Sequence, residues 1–184
     1  MTEAPLSAPT RLETPRLVLR RPHAGDEAAL IALDSEPDIL DYLTSRGADP
    51  ANIAGRIRAR IATALAEPGA TYGWWVIEGK DDGVFHGRAL LAPLWEGSDI
   101  EVGIYLRRAS RRKGYATEAA TAVLDYAFFD LALPRVLGVL IRKDSPARGL
   151  ANRLRLSHQG KIFLHGIEAD RYVITSHGWL PRRR

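Results

Sequence analysis

The sequence predicts an α/β (α+β) fold: a central mixed, mostly antiparallel sheet flanked by helices. Three observations carry that prediction. Thr71–Glu78 and Val84–Leu91 are strand-like runs joined by the turn-forming Lys80-Asp81-Asp82-Gly83, as in an antiparallel meander. At Gly114 the apolar period switches from two residues to a helical one. Arg135–Ile141 is a sustained apolar run, the pattern of a central strand covered on both faces.

Taken in order, residues 1–9 are rich in Pro, Ala and Ser and read as a flexible arm. Arg16–Arg20 alternates polar and apolar and stops at Pro22, giving the first strand, and Asp26–Asp34 reads as a short helix. Asp49-Pro50 is a cap and first-turn proline for a helix striped by Ile53, Ile57, Ile61 and Leu65, which Pro68-Gly69 ends. Three strands follow, at Thr71–Glu78, Val84–Leu91 and Ile100–Leu106. After Gly114, Ala116, Ala120, Leu124 and Phe128 form one stripe with Ala119, Val123, Ala127 and Leu131 beside it, a sheet-packing helix ended before Pro134. Beyond the strand Arg135–Ile141 come a helix at Pro146–Leu156 and two weaker strands near Lys161–Leu164 and Arg171–Ser176. Residues 10–180 read as one domain and 181–184 as a solvated basic tail.

Composition narrows the chemistry. With 46% hydrophobic and 26% charged residues the 184-residue chain reads as an ordinary globular protein. It has no apolar run of the roughly 20 residues a membrane span needs, and no secretory signal, so the expected address is cytoplasmic with no membrane partner. The absence of cysteine removes disulfides, thiolate metal sites and a cysteine nucleophile. Five histidines without ligand spacing argue for no metal. A net charge of +4 and the arginine clusters raise nucleic-acid binding as an alternative. No RRM, KH or zinc-finger pattern accompanies them, which makes nucleic acid unlikely as a partner.

The basic cluster is concentrated where one strand feeds one helix. Arg107, Arg108, Arg111, Arg112 and Lys113 lie between the strand Ile100–Leu106 and the helix that starts after Gly114. The first turn of a helix carries N–H groups without intrahelical partners and about half a positive charge, so an anion docks there readily. Gly114 lets a phosphate approach the backbone and Ala116 keeps the surface low. The segment is neither a GxxxxGK[ST] loop nor GxGxxG.

Arg111-Arg112-Lys113-Gly114-Tyr115-Ala116 resembles the Q/R-x-x-G-x-G/A motif with which GNAT acetyltransferases hold the CoA pyrophosphate. The strings EVGIYL, KGYATEA and LDYAF, with the opening Leu12-Glu13-Thr14-Pro15-Arg16-Leu17-Val18-Leu19-Arg20, look like the RimJ/RimL-type branch, and the similarity runs from Arg11 to Trp179. The resemblance implies acetyl-CoA as cosubstrate, seated on Ile104, Tyr105, Leu106 and the segment Arg111, Arg112, Lys113, Gly114, Tyr115, Ala116 and Thr117, with Asp144 at the pantetheine arm. It also implies direct attack by a neutral amine, an oxyanion met by strand N–H groups near Ile104–Leu106, and by analogy a homodimer. Glu101 is the candidate general base, with an arginine-paired strand carboxylate as the other reading; Tyr105 and Asp144 are further catalytic candidates, a groove aromatic and a helix cap respectively being their structural alternatives.

Downstream the pattern departs from the branch's N-x-x-S and E-K-x-G-F. Asp144 stands for Asn, Ala147 for Ser, Asn152 for Glu, Arg155 for Gly and Leu156 for Phe. Ala147 cannot protonate a departing thiolate, so a CoA-binding domain with altered or lost catalysis is the second reading. The acid–base chemistry favours a weakly basic acceptor. Deprotonating a lysine of pKa about 10.4 at pH 7 costs roughly 4.6 kcal/mol, against about 1 kcal/mol for an α-amine near 7.8. A protein N-terminus or a small amine is the expected acceptor, its specificity residing in loops near Leu43–Asp49 and Leu94–Ser98. Trp74 and Trp75 must point to opposite faces of their strand, one to the core and one toward an acceptor groove.

Overall fold

The computed structural model describes residues 11–67, 72–94, 99–141, 146–164 and 166–179. The N-terminal arm, the Pro68-Gly69 stop, residues 95–98 of the second acceptor loop, Asp144 and the basic tail lie outside the described residues. The chain runs β1 (Arg11–Glu13), β2 (Leu17–Arg20), α1 (Glu27–Asp34), α2 (Pro37–Ser45), α3 (Ile53–Ala66), β3 (Gly73–Gly79), β4 (Phe85–Pro93), β5 (Ile100–Leu106), α4 (Tyr115–Asp125), β6 (Arg135–Leu140), α5 (Pro146–Arg153), β7 (Ser157–Leu164) and β8 (Ile167–Thr175).

The strands form one eight-stranded sheet in the order β1-β2-β3-β4-β5-β6-β8-β7. All neighbours are antiparallel except β5 and β6. That exception follows from connectivity, because parallel neighbours need a crossover and α4 supplies it. Alternation sorts the sheet into two faces. Trp75, Ile77, Ala89, Leu91 and Leu106 point toward α4 and form the main core with its Ala119, Ala120, Val123 and Leu124. Val76 points the other way, packed with Leu30 of α1 and with Ile57 and Ile61 of α3. Trp75 is therefore fully buried, edge-on to Tyr126, while Trp74 lines the cavity described below.

Three local features differ from the sequence reading. The stretch before Asp49 is helical as far as Ser45, since Pro37 sits in the first turn of α2 and Ile39 and Leu43 bury one side of it against Leu33. Leu65 is 57% exposed, so the stripe of α3 stops contributing at Ile61. The helix after Gly114 widens at its end into a π-helical turn, Tyr126–Asp130, whose fold-back Leu131 N–H bonds the Tyr126 carbonyl at 3.1 Å. Arg155 takes φ +62, so the left-handed conformation occurs where the branch pattern has glycine, at a cost of about 1–3 kcal/mol.

Candidate functional site

β5 and β6 are registered at a single pair, Glu101 with Leu137, although both strands continue beyond it. The sheet opens there as a wedge. The Arg107 N–H bonds the His86 carbonyl on β4 at 3.0 Å, and strand backbones alternate direction, so the N–H and C=O of Ile104 face away from β4 and into the wedge. The Leu106 carbonyl also points that way and accepts from Arg111 Nε at 2.8 Å. The backbone of Tyr105 turns back to β4, so of the three strand residues expected to hold a ligand by their main chain, Tyr105 offers only its side chain.

At the mouth of the wedge the chain passes a 3₁₀ turn, Arg108–Ser110, and reverses through two left-handed residues, Arg112 at φ +63 and Gly114 at φ +84. Gly114 caps α4 without any side-chain bond to its first-turn N–H groups. Those groups and the helix dipole are what the loop offers an anion. A β-carbon on Gly114 would lie 3.1 Å from Arg16 Nη2 and would be strained at this φ. Arg112 and Lys113 are exposed beside it. The Arg111 guanidinium bonds Glu36 at 2.8 Å and Asp38 at 2.5 Å as well as the Leu106 carbonyl, and so fastens the loop to α2.

Other residues that the sequence reading missed hold this loop in place. Glu118, one turn into α4, accepts from Thr14 Oγ1 at 2.6 Å, Arg16 N–H at 2.8 Å and Arg16 Nε at 2.7 Å. Arg16 Nη1 in turn donates to the Lys113 carbonyl at 3.0 Å, and its guanidinium lies 4.8 Å from the Tyr115 ring centroid. Tyr115 stacks on His86 at 4.6 Å, and buried His86 bonds Ser110 Oγ at 2.9 Å. Burial pushes the His86 pKa down, so it stays neutral at pH 7. The signal for Arg16 and Glu118 was present as isolated charges at a strand start and a helix start, but nothing local pairs positions 102 apart. Thr117 accepts from Arg153 Nε of α5 at 3.2 Å.

Behind the wedge, on the sheet face away from α4, a cavity of about 640 Å³ lies between α2, α3 and strands β3–β5. Glu101 and Tyr105, four residues apart on β5, both point into it, with Gly103 between them. Glu101 is buried and held by Arg46 through two hydrogen bonds of 2.6 and 2.7 Å, the arginine-paired arrangement weighed above. Arg46 also donates to Tyr42 Oη at 2.7 Å, and Tyr42 reaches across to the Val139 carbonyl on β6 at 3.3 Å, so α2 touches both sides of the wedge. Tyr105 stacks under the Arg88 guanidinium at 3.8 Å. Burial drives its pKa upward, so the phenol keeps its proton at neutral pH. Arg88, 2% exposed, bonds Asp34 Oδ1 at 3.0 Å, and Arg56 bonds Asp34 Oδ2 at 2.9 Å. The cavity's arginines were not read from the sequence. The legible hint was Arg88 followed by the apolar run Ala89-Leu90-Leu91-Ala92 in one strand.

Among the described residues no group of three or more His, Asp or Glu side chains could hold a metal, and no helix is long and apolar enough to cross a membrane.

The chain matches the family of the Acetyltransferase (GNAT) domain over residues 16–157. It is 30% identical over 163 residues to the uncharacterized protein YkkB of Bacillus subtilis (strain 168), spanning 85% of this chain and 91% of YkkB. Among solved structures, an acetyltransferase from Agrobacterium tumefaciens str. C58 superposes with a TM-score of 0.73 at 24% identity, covering 95% of this chain and 98% of that one. Mycobacterium smegmatis RimJ, in complex with CoA-disulfide, superposes with a TM-score of 0.71 at 20% identity, covering 94% and 88%. These two likenesses are of fold.

Proposed function

Since the chain belongs to the GNAT acetyltransferase family, we propose that it is an acetyl-CoA-dependent N-acetyltransferase acting on an amine by direct attack. The observation that carries this is the wedge itself: strand main-chain groups at Ile104 and a helix start at Gly114 without a side-chain cap open side by side, next to a cavity on one face of β5. The pyrophosphate of acetyl-CoA is assigned to the first-turn N–H groups after Gly114, with Arg112 and Lys113 as exposed counter-charges. The pantetheine amides are assigned to the Ile104 backbone, which matches them as donor and acceptor. RimJ's binding of CoA-disulfide supports the same cosubstrate here.

The acceptor is assigned to the cavity, its nitrogen aimed at the thioester past Glu101. In that arrangement the C–N bond forms as the C–S bond breaks. Glu101 takes the amine proton through a water, using the carboxylate lone pairs that Arg46 leaves open. Tyr105, kept protonated by burial, supplies a proton to the departing thiolate. The smaller cost of deprotonating a weakly basic α-amine favours it over a lysine side chain.

The experiment is calorimetric titration with acetyl-CoA, followed by CoA-release assays over peptides with free N-termini, amino acids, polyamines and lysine side chains. Heat of binding with turnover on α-amines is expected; lysine acetylation without N-terminal acetylation would overturn the choice of acceptor. A second reading, cofactor binding without transfer, draws on the engagement of both Glu101 oxygens by Arg46. Turnover on any amine rejects it.

A further inference from the structure

The cavity beside β5 has more cationic donors than its own carboxylates satisfy. Arg46 is matched by Glu101, but Asp34 alone serves both Arg56 and Arg88. Arg60, which projects from α3 into the cavity over the Trp74 ring at 5.9 Å, has no hydrogen bond or ion pair among the described residues. Burial and the charges of Arg88 and Arg56 push its pKa downward, the mark of a cation set among cations. Buried donor atoms on cavity-lining side chains, Trp74 Nε1 and Arg88 Nη1 among them, also have no hydrogen-bond acceptor. The carboxylate of Glu67, at the exposed end of α3, borders the same cavity without bonding any of them among the described residues.

An excess of positive charge with unmet N–H donors is a poor receptor for a simple cationic amine. A polyamine or an arginine-rich peptide would meet repulsion. An amine whose own molecule carries an oxyanion would bring the missing acceptor.

We propose that the acceptor is a carboxylate-bearing amine, its carboxylate received by the guanidinium of Arg60 beside the Trp74 indole while its amine is presented toward Glu101. Arg60 is a specificity-determining residue, and this reading rests on the acetyltransferase function proposed above. The carboxylate has two sources, a free α-carboxylate or an acidic side chain close to a peptide N-terminus. The cavity's volume accommodates either.

The test compares kcat/KM for two pairs of acceptors, alanine with alaninamide and Asp-Ala-amide with Asn-Ala-amide, in the wild type and in Arg60→Gln. Taking the ratio of ratios between the two proteins cancels the differing basicities of the amines. At least one acid is expected to lose about 10- to 100-fold relative to its amide in Arg60→Gln, the size of one charge-assisted contact. Which pair responds identifies the carboxylate's source. A ratio that the substitution leaves unchanged for both pairs overturns the proposal, provided circular dichroism shows the variant folded. Should no amine turn over, the N-acetylated products of the same four compounds are titrated calorimetrically into CoA-saturated protein. Tighter binding of an acid, lost in Arg60→Gln, supports the proposal; equal binding of acid and amide overturns it. Acetyl-CoA binding and turnover on any amine are read separately, so failure of the acetyltransferase reading is distinguishable from failure of this one.

Discussion

On the wedge side of β5 the groups proposed to meet a ligand belong to the main chain: the Ile104 peptide groups and the first turn of α4. On the cavity side they belong to side chains, guanidiniums and an indole carried on α2, α3, β3 and β4. A site made of backbone tolerates changes in side-chain chemistry but not in chain conformation, whereas a site made of buried charges depends on every partner. The two halves should therefore fail differently under mutation.

The largest effect is expected on the cavity side, at Glu101. Replacement by Gln leaves the Arg46 guanidinium, whose side chain is 16% exposed, without its counter-charge. Breaking such a buried pair typically removes about 3–5 kcal/mol of stability, and loss of a general base lowers the rate by about 10²–10⁴-fold. The double variant Glu101→Gln/Arg46→Gln separates the two. Thermal unfolding should recover most of the stability while kcat/KM stays depressed. Recovery of the rate as well would make the pair a positioning device and move proton transfer elsewhere.

On the wedge side the corresponding vulnerable point is Gly114. Valine there forces a β-branched residue to φ +84, costing about 1–3 kcal/mol, and thrusts its Cβ against Arg16 Nη2. Acetyl-CoA affinity measured by calorimetry should fall by roughly tenfold or more, while the acceptor preference among amines that still react stays as in the wild type. Unchanged affinity would mean that the backbone there does not hold the diphosphate.

The same contrast explains what could be read from the sequence. The strand Ile100–Leu106, the basic turn and the helix after Gly114 are contiguous, so strand alternation, turn residues and a period change placed these elements on the wedge side. The buttress of that side was not legible, because Arg16 and Glu118 meet only when β2 packs beside α4. On the cavity side Glu101 was found from its strand and resemblance, but Arg46, Arg60 and Arg88 converge from three elements whose packing no local pattern encodes. Only the end of α2, from Leu43, falls in the predicted loop Leu43–Asp49; Pro37–Tyr42 carries no assignment, although Glu36-Pro37-Asp38 is a helix-start signal, because its apolar side, Ile39 and Leu43, is too brief to declare a period.

The smallest effect tests whether the wedge side depends on a charge at all. Glu118 is part-buried, and burial alone would raise its pKa; the hydrogen bonds from Thr14 and from the Arg16 backbone and side chain outweigh that and lower it. A carboxyl whose pKa is lower folded than unfolded contributes stability that is fully present above the unfolded value, about 4.3, and is lost as pH falls through the folded value. Glu118→Gln should therefore unfold at lower temperature than the wild type at pH 7, by the equivalent of about 1 kcal/mol given that Arg16 is half exposed. The gap should close as pH falls below the unfolded value and through the lowered folded one, where wild-type Glu118 itself becomes protonated; other carboxylates titrate alike in both proteins and cancel in the difference. A gap that stays constant throughout acidification would mean that the Glu118 charge does not stabilise the loop, leaving the Arg111 and His86–Ser110 contacts to hold it.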